Sequence, residues 1–370
     1  MSETLLHDGD VLARRHGALR RITLNRPNAL NAVTLDMAVA MTSLLRDWAS
    51  DPAVGAVLLD GAGERGFCAG GDIRALYDAA KMGDTKTGDT KTGAVKTGDS
   101  LPARFWATEY KLNVLIARYP KPVVVVMDGL VMGGGVGLSA HAGFRVVTER
   151  SAIAMPEVQI GFFPDVGACY LLSRAPGYVG TYLALTGHRI GAADAIYCNL
   201  ADTHIAADRL SALPTALADC RSNHDVRTRL GELVAAPAPA RLPRERQWID
   251  GCFGAADVEE IVERLQASSD EKARAAREAM RKASPTSLKV ALRNLRSAAT
   301  FNRVEESFAQ DYRIALACVA GHDFIEGIRA AIVDKDRNPR WQPDKIEAVT
   351  PDLVDRHFRR LGALELTFED

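Results

Sequence analysis

The chain of 370 residues is 47% hydrophobic and 25% charged, and its 46 Lys and Arg against 47 Asp and Glu leave a net charge of −1. That composition excludes disorder as the main state, and the balanced charge excludes a globally basic nucleic-acid binder, which needs a surplus of Lys and Arg. At roughly 150 residues per domain, the length predicts about two domains.

Residues 20–25 (RRITLN) alternate polar and apolar before Arg26 and Pro27, which predicts a strand entering a loop. Leu35, Val39, Thr42, Leu45 and Trp48 recur near helical spacing, with Thr34 as N-cap. Residues 53–60 (AVGAVLLD) read as a buried strand, followed by the glycine-rich GAGERGFCAGGD and a helix from Asp72. A second, wholly apolar strand occupies 123–127, followed by another glycine cluster and a short helix, and 144–148 and 151–154 read as short strands. Strands alternating with helices over the first 200 residues predict an α/β core.

Residues 81–100 repeat every five positions as KMGDT, KTGDT, KTGAV and KTGDS. With almost no apolar side chain, this segment cannot bury a core. It reads as a surface insertion, or else as a loop with a regulatory or partner-binding task.

After about residue 200 glycine becomes sparse, AAPAPARLP (235–243) reads as a connector, and from Ala255 onward the pattern is helical. The expected organisation is a catalytic core over 1–200 and a mainly helical region over 201–370. Residues 271–300 hold eight Lys and Arg against two Glu, a local charge of 8 − 2 = +6. That run is either a solvated helix face or a contact for an anion.

Six scattered cysteines show neither CxxC nor paired Cys/His spacing. They predict reduced thiols, no disulfide framework and no metal site, and a cytoplasmic location is the expectation. The N-terminal MSETLLHDGDVL has no signal-peptide pattern, and the longest apolar run, 123–127, is too short to cross a bilayer, so no membrane partner is expected.

Two glycine-rich turns each follow a buried strand and open a helix: FCAGGD (67–72) and MGGGVG (132–137). Each offers bare backbone N–H groups, and two such donors converging on one point would make an oxyanion hole or an anion cradle. Residues 135–140 also satisfy G-x-G-x-x-A, but the next acid after the following strand, Glu149, arrives far sooner than the ~20 residues a dinucleotide site needs. In MPEVQIGFFPDVG (155–167), Glu157 and Asp165 each follow a proline among apolar residues. An apolar setting raises a carboxyl pKa toward acid–base duty; alternatively each acid caps a turn. No G-x-S-x-G elbow and no triad or metal spacing of the histidines appears.

In this order, LNRPNALNAVTLDM (24–37), FCAGGDIR (67–74), MGGGVGLSAHAGFRVVTE (132–149) and AMPEVQIGFFPDVG (154–167) resemble the crotonase (enoyl-CoA hydratase/isomerase) superfamily. Within it the chain is most similar to the 3-hydroxyisobutyryl-CoA hydrolase family, through FCAGGDIR, MPE followed by FPDVG, SPTSLKVALR (284–293) and GHDFIEGIRAAIVDKDRNPRW (321–341). The resemblance implies an α/β fold, a crotonase-like spiral of ββα units with a C-terminal helical region.

It implies a thioester carbonyl held by the backbone N–H groups of Gly71 and Gly134, attacked by Glu157 or by water that Glu157 activates. Asp165 would orient or protonate its partners, Glu109 would contact substrate, and Ala69 and Asp72 would line the coenzyme A site. Coenzyme A enters as part of the acyl-CoA substrate, and no separate cofactor is implied. Superfamily relatives often form trimers, so a homo-oligomer (trimer or hexamer) is expected.

Typical hydratases carry a second glutamate in a GGG-x-E pattern, and Gly137 stands in that place here. With that carboxylate missing, hydrolysis is expected in place of hydration, and the resemblance implies a short 3-hydroxyacyl-CoA as substrate, 3-hydroxyisobutyryl-CoA in valine catabolism. An enoyl-CoA hydratase or isomerase and a non-catalytic acyl-CoA binder are the alternatives.

Overall fold

The computed structural model describes residues 4–81 and 100–368, so all but the ends of the five-residue repeat lies outside the described residues. The chain forms two compact units interleaved along the sequence. One comprises Met1–Gly71, Lys111–Ile153 and Ile190–Arg241; the other comprises Asp72–Tyr110, Ala154–Arg189 and Leu242–Asp370.

In the first unit a seven-stranded sheet runs in the order β1 (Thr4–His7), β2 (Val11–His16), β3 (Leu19–Leu24), β4 (Ala56–Gly61), β6 (Val123–Met127), β8 (Phe144–Val147) and β10 (Thr203–His204). The first three strands are antiparallel and the rest join in parallel. All five residues of β6 are buried, as a central parallel strand covered on both faces requires. Beside it lies a small sheet of β5 (Gly66–Cys68), β7 (Leu130–Met132) and β9 (Ala152–Ala154).

Helix α1 (Leu35–Ser50) starts where expected, with the Thr34 side chain accepting from the Met37 N–H at 3.2 Å. Its buried stripe is Met37, Ala38, Met41, Leu45 and Trp48, while Val39 is 52% exposed. The row through Leu35 and Val39 and the row through Met37 and Met41 converge on Leu45 and Trp48, so spacing alone does not separate them.

The second unit contains α2 (Ile73–Lys81) and the first part of α3 (Leu101–Ala117), which continues into the first unit from Lys111. It also holds the helical C-terminal region, the helices Leu242–Phe253, Val258–Ala267, Glu271–Lys282, Pro285–Ala298, Val304–Ala320, His322–Ile328 and Pro351–Arg356. Alternating strands and helices followed by this bundle make the α/β, crotonase-like architecture that the motifs imply.

Glu271–Lys282 buries only Ala273, Ala276 and Met280, which turns its cations outward. Most cations of the 271–300 run meet acids: Lys272 pairs with Glu245, Arg281 and Lys282 with Glu278, Lys289 with Glu259 and Arg293 with Asp355. Three acids from outside the run, Glu245, Glu259 and Asp355, thus offset half of its +6 in space.

Candidate active site

Both glycine turns belong to the first unit. Because β5 and β7 are parallel neighbours, the turns that leave their C-terminal ends lie side by side. The contact is close: a Cβ on Gly135 would collide with the Cys68 carbonyl oxygen, so only glycine fits there. Gly133 leads into α4 (Gly134–Ser139), and the Gly134 N–H, at the first position of that helix, has no partner within it. Among the described residues no backbone carbonyl takes up the N–H of Gly71 or of Gly134. Ala69 is half-buried and donates its N–H to the Leu30 carbonyl at 3.0 Å. Gly137 is buried inside α4.

The acids belong to the second unit. Asp72 stands before α2, where its carboxylate accepts from the Ala75 N–H at 3.4 Å in the manner of a cap. Glu157 opens a single 3₁₀ turn, Glu157–Ile160, that ends at Gly161 in the left-handed conformation. A Cβ on Gly161 would collide with the Asp323 carbonyl oxygen, so the turn lies directly on the segment that opens helix His322–Ile328. A second tie comes from Ser284, which donates its N–H to the Val158 carbonyl at 3.0 Å and its hydroxyl to Asp323 Oδ2 at 2.6 Å. Ser284 also caps the helix Pro285–Ala298, which explains the SPTS sequence: a cap, a proline at the first turn, and a closing N–H from Ser287.

Glu109, Glu157 and Asp165 are all buried, at 2%, 7% and 5% exposure. Aromatic residues lie close to them along the chain. Trp106 stacks on Phe162 at 5.3 Å, and Phe162 contacts Phe163 and Phe324. Burial, reinforced by the Asp165 charge, holds the carboxyls of Glu109 and Glu157 well above the usual carboxylate range. Burial pushes Asp165 itself up to about 7, against the opposing pull of a hydrogen bond from Tyr110. One carboxylate oxygen each on Glu109 and Glu157 is buried without a hydrogen-bond partner among the described residues.

The contrast with Asp60 in the first unit is instructive. That half-buried acid takes Arg21 Nε at 2.8 Å and Thr23 Oγ1 at 2.6 Å, as a structural carboxylate does. Glu109 and Glu157 each keep one oxygen without such a partner among the described residues.

Two residues of this cluster were not anticipated. The Tyr110 hydroxyl donates to Asp165 Oδ2 at 2.7 Å. Asp311, on the helix Val304–Ala320, accepts from the Gly167 N–H and from Asn294 Nδ2, each at 2.9 Å. Tyr110 sits beside Glu109 in the sequence, but an aromatic in an apolar helix reads as core. Asp311 offers no local signal at all.

Among the described residues no group of three or more His, Cys, Asp or Glu could hold a metal ion, and no helix is long and apolar enough to cross a membrane. All six cysteines are buried, and among the described residues none is in a disulfide.

The family model described as enoyl-CoA hydratase/isomerase matches residues 19–358. The protein named 3-hydroxyisobutyryl-CoA hydrolase, mitochondrial, from Gallus gallus is 39% identical over 96% of this chain and 90% of its own length. Its namesake from Xenopus laevis is also 39% identical, over 99% and 93%. The crystal structure of a carnitinyl-CoA dehydratase from Mycobacterium thermoresistibile superposes with a TM-score of 0.88 at 42% identity, covering 98% of this chain and 99% of that one.

The expected cytoplasmic location is overturned by these comparisons, because these similar hydrolases are named as mitochondrial. Reduced thiols argue for a reducing environment; they carry nothing that separates one reducing compartment from another.

Proposed function

The chain belongs to the enoyl-CoA hydratase/isomerase family of the crotonase superfamily, whose members act on acyl-CoA, and from that premise we propose that it hydrolyses short 3-hydroxyacyl-CoA thioesters. The preferred substrate in this reading is 3-hydroxyisobutyryl-CoA, cleaved with water to 3-hydroxyisobutyrate and free coenzyme A, a step of valine breakdown.

The observation that carries the reading is Glu157, a buried carboxyl with one oxygen unpartnered among the described residues. Burial raises its pKa, so the ionised form, once made, is a strong base and nucleophile. Either Glu157 attacks the thioester carbon, the C–S bond breaks and water then hydrolyses the resulting anhydride, or Glu157 takes the proton of a water that attacks the carbon directly. Asp165 and Glu157 resist carrying two negative charges together, so one of them keeps a proton near neutrality. In this reading Asp165 keeps it and passes it to the departing sulfur. The N–H groups of Gly71 and Gly134 receive the charge that develops on the carbonyl oxygen, fixed donors that need no reorganisation. Glu109 contacts the acyl group, and Ala69 and Asp72 the coenzyme A portion.

A second reading is favoured by the dehydratase named among the solved structures: addition or removal of water across an acyl-CoA double bond. Gly137 speaks against it, since it stands where typical hydratases carry their second glutamate.

The test is a paired assay. Hydrolysis predicts free thiol from 3-hydroxyisobutyryl-CoA and no loss of enoyl absorbance from crotonyl-CoA. The reverse pair of results replaces the proposal with the hydratase.

A further inference from the structure

Tyr110 is fully buried on α3, and its hydroxyl reaches Asp165 Oδ2 at 2.7 Å. Its ring is held by Phe308, centroid to centroid 5.6 Å, on the same helix that carries Asp311. The phenol therefore has a fixed position, and so does the oxygen it binds. Neighbouring residues on a helix point about 100° apart, so Glu109 and Tyr110 present different side chains from one turn of α3.

We propose that Tyr110 is a positioning residue for Asp165, its hydroxyl orienting that carboxyl and selecting which of the buried acids carries the proton of the site.

The groups that interact with Asp165 come from every neighbouring element. Glu109 and Tyr110 lie on α3, Glu157 on the 3₁₀ turn, Cys169 on α5 (Ala168–Leu172), and Asp311 and Cys318 on the helix Val304–Ala320. A negative charge on Asp165 makes every one of these groups harder to ionise. None is a cation. In such company the donated hydrogen bond, together with one from the backbone, favours the charged form and so eases release of the Asp165 proton. A phenol whose own ionisation is suppressed by burial stays a donor throughout the working range. The inference rests on the hydrolase reading only for the use of that proton at the departing sulfur.

The test titrates the carboxylic-acid C=O infrared band of Asp165, identified by its loss in Asp165→Asn, in the wild-type protein and in Tyr110→Phe. The wild-type midpoint is expected near about 7. Loss of a hydrogen bond to the charged form moves it up by about one to two units in Tyr110→Phe. In the thiol-release assay the alkaline limb of kcat moves the same way, kcat falls and KM is little changed. A more acidic phenol, 3-fluorotyrosine placed at position 110, moves the midpoint down and covers the case in which Tyr110→Phe does not fold.

A midpoint that stays put in a folded variant overturns the inference, because a merely structural tyrosine would alter stability and leave that proton alone. The infrared titration needs no substrate. Absence of thiol release by the wild-type protein would therefore count against the hydrolase reading, while the band shift still decides the role of Tyr110.

Discussion

Gly167 donates its backbone N–H to Asp311 Oδ2 at 2.9 Å, across 144 positions of the sequence. Between Gly167 and Asp165 lies Val166, a fully buried β-branched residue held at φ +53°. That conformation costs roughly 1–3 kcal/mol and persists only where the surroundings impose it. Asp311 is part of what imposes it. It is itself fixed by Asn294, whose side-chain Oδ1 accepts from Gln310 Nε2 at 2.6 Å. The aim of Asp165 is thus set by two C-terminal helices.

Asp311→Ala removes an acceptor from two buried donors, Gly167 N–H and Asn294 Nδ2. The expected loss of stability is about 2–4 kcal/mol, read as a lower urea midpoint with an unchanged slope. In the part that remains folded, kcat falls more than KM rises, since the turn relaxes and Asp165 loses its aim. An unchanged kcat would separate Asp311 from the site.

Stability should fall with rising pH across the acid-to-neutral range. Asp165 has an ordinary value of 3.8 and is pushed up to about 7 in the fold. Between these values the folded protein binds more protons than the unfolded chain, so stability is full at the acid end and is lost as pH rises through about 7. Glu109, Glu157 and Asp311, raised by the same burial, act in the same direction. Urea midpoints measured from about pH 5 to about pH 8 are expected to decline, and Asp165→Asn to flatten that decline. Equal slopes in the two proteins would show that Asp165 titrates as a free carboxyl.

Gly135→Ala and Gly161→Ala test the two backbone contacts that shape the turns. In each case the added Cβ meets a backbone carbonyl, that of Cys68 or of Asp323, which has no flexible end to move aside. Both variants should lose about 2 kcal/mol or more of stability, seen as lower melting temperatures. Gly231→Ala is the control: its Cβ meets nothing within 4 Å, and its melting temperature should hold or rise.

Much of this architecture was legible where local physics is decisive. Residues 123–127 form a strand because an unbroken apolar run between turns suits a central parallel position. Thr34 caps α1 because a hydroxyl before a helical pattern closes its first turn. Strand β1 was not legible: all four of its residues are exposed, so no apolar pattern marks it. Strands β5 and β7 are three residues each and exist through their pairing. Within the candidate site, the proline-acid pairs marked Glu157 and Asp165, and the two glycine turns stood out as donors, while Gly71 and Gly134 were singled out within them through family resemblance. Glu109 was reached only through family resemblance. Asp311 is one acid in an ordinary helical pattern, and what distinguishes it is a partner brought to it by folding.

The central claim is that this chain breaks a thioester with Glu157. Its most direct test is the rate of thiol release from 3-hydroxyisobutyryl-CoA by the wild-type protein and by Glu157→Gln, which keeps the shape and removes the charge. The account predicts steady release by the wild type and a rate lower by roughly 10²–10⁴-fold in the variant, with substrate binding retained. Equal rates in the two proteins, or no thiol from the wild type while it hydrates crotonyl-CoA, would contradict it.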